Sequence, residues 1–185
     1  VKRHLTALLV GTALALAPAI AAAQNMGASG YYGGPPGAGQ QLGAQSNAQA
    51  VAGNVGEPLS NSLASGSAIT YSTGTAANIT NITSLTPGRW EVWGTCAFTF
   101  GGTTVVTQES CGISTTSATQ PGLASGAEGQ LATGAGFTGG ADNTVFSGVT
   151  PIAVSAPTVV YLVGTCAFTT STCKGYGQIQ AVRRP

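Results

Sequence analysis

Val159-Val160-Tyr161-Leu162-Val163 runs through Cys166 and Cys173 into Gly175-Tyr176-Gly177-Gln178-Ile179, and this closing third constrains the fold more than any other stretch. Five apolar residues in a row, three of them valine, suit a buried strand. Thr169-Thr170-Ser171-Thr172 then supplies a short polar turn, and the second run reads as a strand that closes the chain. A closing hairpin of this kind needs a sheet to join.

The residues before it supply one. Ala68–Ser72 and Asn78–Thr83 are candidate strands, the latter with period two, and Leu85-Thr86-Pro87-Gly88 is a turn. Arg89–Phe98 is a long third strand, and Gly101-Gly102 returns the chain into Thr103–Gln108. Residues 111–119 continue as a strand or an edge, and 121–142 form a glycine-rich excursion. Val145-Phe146 and Ile152-Ala153-Val154 complete the set. Short strands with regular turns predict an all-β fold, an antiparallel β-sandwich or jelly roll, over residues 56–185. Composition agrees: 28 glycines and only 6% charged residues, against about 25% in an ordinary soluble protein, disfavour long charged helices.

Two segments precede this head. Residues 1–23 read as an export signal: Lys2, Arg3 and His4 form a positive start, Leu5–Ala19 an apolar stretch, and Ala21-Ala22-Ala23 a small-residue cleavage site. The rival is an uncleaved anchor, disfavoured by Pro18 and by an apolar run short of the ~20 residues a bilayer requires. Cleavage after Ala23 leaves no stable membrane insertion and places the product in the periplasm, the exterior or a virion surface. Residues 24–55 read as a disordered linker rich in Gly, Ala and Gln, with Tyr31 and Tyr32 its only aromatic residues.

Beyond residue 23 the chain carries four basic residues, five acidic ones and no histidine. That near-neutral balance gives no electrostatic footprint for nucleic acid. The missing histidine removes the usual base of a Ser or Cys nucleophile. It also makes a structural zinc site unexpected, and no cofactor is implied. Paired carboxylates would be the only acid/base option, from Glu91, Glu109, Glu128 and Asp142. Glu91 and Glu109 read as solvated strand residues and the other two as loop charges, so the expectation is a protein that is not an enzyme.

Export makes the four cysteines disulfide candidates. Cys166 and Cys173 flank the closing turn, and Cys96 and Cys111 lie either side of Gly101-Gly102, which favours those two pairs. A rival pairing joins Cys96 to Cys166, because Gly94-Thr95-Cys96-Ala97-Phe98-Thr99 recurs as Gly164-Thr165-Cys166-Ala167-Phe168-Thr169. Both copies read as central strands in equivalent surroundings, and as neighbours in one sheet they would bring those cysteines together. Free buried thiols are the third alternative.

Two further groups of residues are candidates for contact. The excursion from Gln120 to Asp142, including Glu128, Gln130 and Phe137, suits an exposed binding loop or plain flexibility. Trp90 and Trp93 have opposite strand parity, so one belongs to the core and the other reaches a surface. Trp93, Tyr161, Tyr176 and Arg183 are candidates for a subunit interface, and the aromatic residues could alternatively stack on sugars. Arg183-Arg184 either pair with carboxylates of a neighbouring subunit or form a solvated tail. The two Asn-Ile-Thr triplets at 78–83 are sequons by pattern and strand residues by context.

The segments Pro87-Gly88-Arg89-Trp90-Glu91-Val92, Gly112–Thr119 and Val160–Val163 with Phe168-Thr169, Tyr176-Gly177-Gln178-Ile179 and Arg183-Arg184 occur in a characteristic order. Over residues 85–185 the chain thereby resembles the C-terminal domain of bacteriophage and prophage tail or tail-fibre proteins. That resemblance implies a jelly roll similar to tumour-necrosis-factor-like heads, assembling as a homotrimer at a fibre tip or on a capsid and binding a cell-surface glycan or protein receptor. The export signal departs from the pattern, since a virion protein assembled in the cytoplasm needs none. A secreted bacterial surface or matrix protein with a jelly-roll adhesion domain is therefore the alternative, and an exported carbohydrate-active enzyme a distant third.

Overall fold

The computed structural model describes residues 53–138 and 142–185, without the side chains of 133–138. The expected leader and nearly all of the expected linker lie outside these residues. The strands are β1 (Pro58–Leu63), β2 (Ile69–Thr70), β3 (Ala77–Leu85), β4 (Gly88–Phe100), β5 (Val105–Ser114), β6 (Glu128–Thr138), β7 (Asn143–Phe146), β8 (Thr150–Val154), β9 (Thr158–Thr169) and β10 (Cys173–Arg184). Among the described residues the helical turns are two three-residue 3-10 segments.

The strands form two antiparallel sheets. In sheet A, β1 and β2 lie end to end along β10, which pairs with β4, and β4 carries β7 and β8 end to end on its other side. Sheet B has the order β3-β9-β5-β6. Counting β1/β2 and β7/β8 as one rib each leaves eight ribs in chain order. The first then pairs with the eighth (β1 and β2 with β10), the second with the seventh (β3 with β9), the third with the sixth (β4 with β7 and β8) and the fourth with the fifth (β5 with β6). An antiparallel ribbon folded over on itself in this nested way is a jelly roll.

Period-two patterning builds the interior. Along β4 the burial alternates from Trp90 through Val92, Gly94 and Cys96 to Phe98, all facing inward. Opposite them in sheet B stand Val160, Leu162 and Cys166 of β9 with Cys111 and Ile113 of β5. Burying each large side chain contributes ~1.5–3 kcal/mol. Gly94 and Gly164, the leading residues of the two echo copies, both lie where a Cβ would collide with a neighbour: the Leu162 side chain at one, the Tyr71 ring and Ile79 at the other. Gly175 also backs onto Tyr71, whose ring packs tilted against that of Phe98 with the centroids 5.8 Å apart. Burial raises the Tyr71 phenol pKa.

The closing segment is a correction to expectation. β9 and β10 do not pair with each other; β9 lies in sheet B and β10 in sheet A, and the turn between them carries the chain across the sandwich. The 101–104 turn makes the reverse crossing from β4 to β5. The two corners are locked together by Gly101 N–H donating to the Thr172 carbonyl at 3.0 Å and by the Thr104 hydroxyl, which donates to that carbonyl and accepts from the Thr172 N–H. β4–β5 and β9–β10 thus form one bent antiparallel ribbon whose arms lie in different sheets.

Each arm is pinned to its continuation by a disulfide, Cys96–Cys111 and Cys166–Cys173, and all four sulfur-bearing residues are buried. The rival Cys96–Cys166 pairing is not formed, since Cys96 is bonded to Cys111 and Cys166 to Cys173; the echo copies are central strands of opposite sheets, not the neighbours in one that the rival supposed. Loop-entropy arithmetic gives the seven-residue separation at Cys166–Cys173 about 2.5 kcal/mol. A Cys166→Ala/Cys173→Ala double variant should lose about that much in urea unfolding, with an m-value no lower than that of the bridged chain because the unfolded state is less constrained, against no loss if the bridge were dispensable.

Candidate functional site

The two outer faces of the sandwich differ. The outer face of sheet B is roofed by the chain that links β5 to β6. Gln120 donates its amide to Ser110 Oγ (2.9 Å), to the Val163 carbonyl (3.2 Å) and to Thr165 Oγ1 (3.1 Å). Gln120 and Pro121 cover Gly112, where a Cβ would meet both. Asn78 fastens the start of the roof, donating to Ser117 Oγ and accepting from Ala118 N–H, both at 2.7 Å. Asn78 is therefore a strand residue whose amide is engaged within the chain. Glu128 fastens the end of the roof by accepting from Gly122 N–H at 2.9 Å.

The excursion read as a 121–142 loop is thus mostly ordered structure. Residues 122–127 complete the roof, and 128–138 form β6, paired to β5. Its low β-propensity hid it: Glu-Gly-Gln-Leu-Ala-Thr-Gly-Ala-Gly-Phe-Thr pairs because β5 presents an edge, which local preference does not register. Gln130 is paired opposite Ser110 within this strand, and the side chain of Phe137 lies outside the described residues. Asp142 is exposed and accepts a long hydrogen bond (3.5 Å) from the Tyr176 hydroxyl of β10.

The outer face of sheet A has no such roof among the described residues. Trp93 and Tyr176 point outward there, on adjacent strands, with Thr95 and Ala97 between them on β4 and Gln178 and Gln180 on β10. Phe146 of β7, 69% exposed, pairs with Thr95. Charge lies toward the two ends: Arg89, Glu91 and Arg184 at one, Lys174 and Asp142 at the other, where Asp142 contacts the Tyr176 hydroxyl.

The four residues expected at a subunit interface do not share this face. Trp93 and Tyr176 do. Tyr161 lies on the outer side of sheet B, paired with Asn81 and Ser114. Arg183 points into the sandwich, because it keeps the inward parity of Ile179 and Ala181. It is 6% exposed, and its Nε donates to Glu57 Oε2 at 3.1 Å. Nη1 donates to the Pro87 carbonyl at 2.7 Å and Nη2 to Thr86 Oγ1. The guanidinium carbon lies 4.6 Å from the centre of the Trp90 ring. Gly88, at φ +146°, leaves room for it; a Cβ there would strike the guanidinium. Both terminal arginines are therefore paired within the chain, Arg183 with Glu57 and Arg184 with Glu91, rather than forming a solvated tail.

Glu109 is a second correction. Rather than a solvated strand residue, it is fully buried. A bulge at Thr107 inserts one residue into β5, so Val106 and Glu109, three apart, both face inward. Its carboxylate accepts from Asn143 Nδ2 at 3.2 Å, across the sandwich on β7. Desolvation by burial pushes its pKa from 4.5 to about 7, partly offset by the Asn143 hydrogen bond. Glu91, by contrast, lies on the outer face and pairs with Arg184. Glu109 and Glu91 thus occupy opposite sides of the sandwich wall and do not form the carboxylate pair of a glycosidase. Among the described residues no cluster of three or more His, Cys, Asp or Glu side chains could hold a metal ion.

The nested strand order defines the class: an antiparallel jelly-roll sandwich. No protein-family model matches the chain, and no curated protein sequence does. Solved structures that resemble it include the infectious bursal disease virus VP2 subviral particle, at 12% identity and a TM-score of 0.42 over 79% of this chain. The T=1 particles derived from that virus give 13% and 0.42, and its Gx strain 12% and 0.41. The chain spans only 36–38% of the length of those proteins.

Proposed function

We propose that the chain is a non-enzymatic, exported head that assembles as a homotrimer through the bare outer face of sheet A. In that form it acts in attachment to a cell surface, as a phage-type tail or virion-surface component. The observation that carries this reading is the inequality of the two faces. One is roofed by its own polypeptide; the other centres on Trp93, Tyr176 and Phe146, with charges only at its ends. An aromatic, charge-poor centre within a charged rim is the anatomy of a protein–protein contact. Three copies is the number that the resemblance to phage tail C-terminal domains implies.

Light scattering on the purified chain should give three times the monomer mass at micromolar concentration. Trp93→Arg should shift it to monomer while leaving the thermal transition of the sandwich within a few degrees, because Trp93 lies on an outer face. A monomer mass for the unaltered chain across that range would overturn the trimer. Copurification with virions tests the particle assignment.

A further inference from the structure

At the end of sheet A where β4 begins, Arg89 and Arg184 are direct cross-strand partners, both pointing outward. Like charges placed opposite each other on a ladder repel. One carboxylate, Glu91, pairs with Arg184; Arg89 has no ion pair among the described residues. A second anion at this spot would relieve the imbalance.

A groove of about 300 Å³ opens beside them. Arg89, Glu91 and Arg184 form one wall and Pro151, Ile152 and Ala153 of β8 the other, with Trp90 also contributing. Its volume is at the small end of ligand pockets, enough for one ring rather than an extended chain. Planar guanidinium groups recognise carboxylates by paired, charge-assisted hydrogen bonds. The β8 wall presents aliphatic surface against which the C–H face of a pyranose can lie. A peptide docking by strand addition could not use β4, which is paired on one side by β8 and on the other by β10, and would have to add to the outer edge of β8 rather than lie in the groove.

We propose that this groove binds the carboxylate of an acidic sugar, a uronic acid residue of a surface glycan. Arg89 is the principal anchor, and Glu91 competes with the ligand for Arg184. The proposal rests on the attachment reading and lies at the rim of the face assigned to assembly.

The test is a titration of the oligomeric full-length chain with glucuronate, using glucose, acetate and a short peptide with a free C-terminus as comparators, followed by NMR. Glucuronate should shift signals at Arg89 and Arg184 where glucose does not, and should bind more tightly than acetate. Arg89→Gln should weaken it by about tenfold, the scale of one lost charge-assisted hydrogen bond. Glu91→Gln should tighten it several-fold, an effect that a merely structural Glu91 would not produce.

Equal behaviour of glucuronate and glucose, or an unchanged affinity in Arg89→Gln with its thermal transition intact, would overturn the site. Equal binding of acetate, or tighter binding of the peptide, would overturn the sugar assignment. Cell-binding assays separate this from the parent reading. Undiminished attachment by Arg89→Gln sinks the groove alone, whereas failure of the unaltered chain to bind cells sinks the attachment reading and leaves the titration to judge the groove.

Discussion

Arg183→Ala should destabilise the head by about 3–5 kcal/mol, the cost of leaving one partner of a buried ion pair alone. The side chain holds together three separate parts of the chain. Its guanidinium pairs with Glu57, caps the Thr86 and Pro87 oxygens of the β3–β4 turn and lies over Trp90. Its backbone completes the tie, with Arg183 N–H donating to the Glu57 carbonyl and Gly56 N–H to the Arg183 carbonyl. Glu57 in turn accepts from Gly53 N–H at 2.7 Å. Urea unfolding should show the loss as a lower midpoint with little change in slope. Glu57→Gln should fall in the same direction, and a cycle with both changes should recover part of the sum because the two groups share one interaction. A loss below about 0.5 kcal/mol, the range of ordinary surface substitutions, would mean that Arg183 is solvated after all.

Glu109→Gln should act in the opposite sense. The folded chain holds this carboxyl at a pKa of about 7 against an ordinary 4.5, so its ionisation opposes folding. Below about pH 4.5 the group is protonated in both states and the native fold bears no penalty. Between there and about pH 7 the unfolded chain sheds the proton first, and stability falls as pH rises. Above about 7 the penalty is constant, on the order of 3 kcal/mol from the shift. The variant should therefore melt roughly 10 °C higher at pH 8. The difference should shrink toward nothing near pH 4. Thermal scans of both proteins across that interval decide the matter; parallel curves at all pH values would show that Glu109 is not the titrating group.

These two residues also show where sequence reasoning reaches and where it stops. The strand pattern is legible where β-branched and aromatic residues gather: β3 falls where period two places it, β9 where the run of five apolar residues does, and β4, β8 and β10 where candidate strands are expected. Trp90 and Trp93 separate to opposite faces as their parity requires. β1 escaped notice because Pro-Leu-Ser-Asn-Ser-Leu has neither branched residues nor a clear run, and it is held by pairing with β10. β6 escaped for the same reason. The inward direction of Arg183 was written in its register with Ile179 and Ala181, and that of Glu109 in its register with Cys111 and Ile113. A charged residue on a short strand nevertheless reads as solvated until its partners, Glu57 and Asn143, arrive from distant chain positions. The closing pair of strands is legible as strands but not as members of different sheets, since nothing in a polar four-residue turn distinguishes a hairpin from a corner.

The corner disulfides have a kinetic consequence. Each joins cysteines that follow one another along the chain, the first with the second and the third with the fourth. A polypeptide oxidised progressively from its N-terminus, each thiol joining the next to appear, arrives at the native set without shuffling. Correct bonding then demands no prior meeting of the two halves, and the β4–β5 crossover can be cross-linked before β6 to β10, the strands that will flank it, exist.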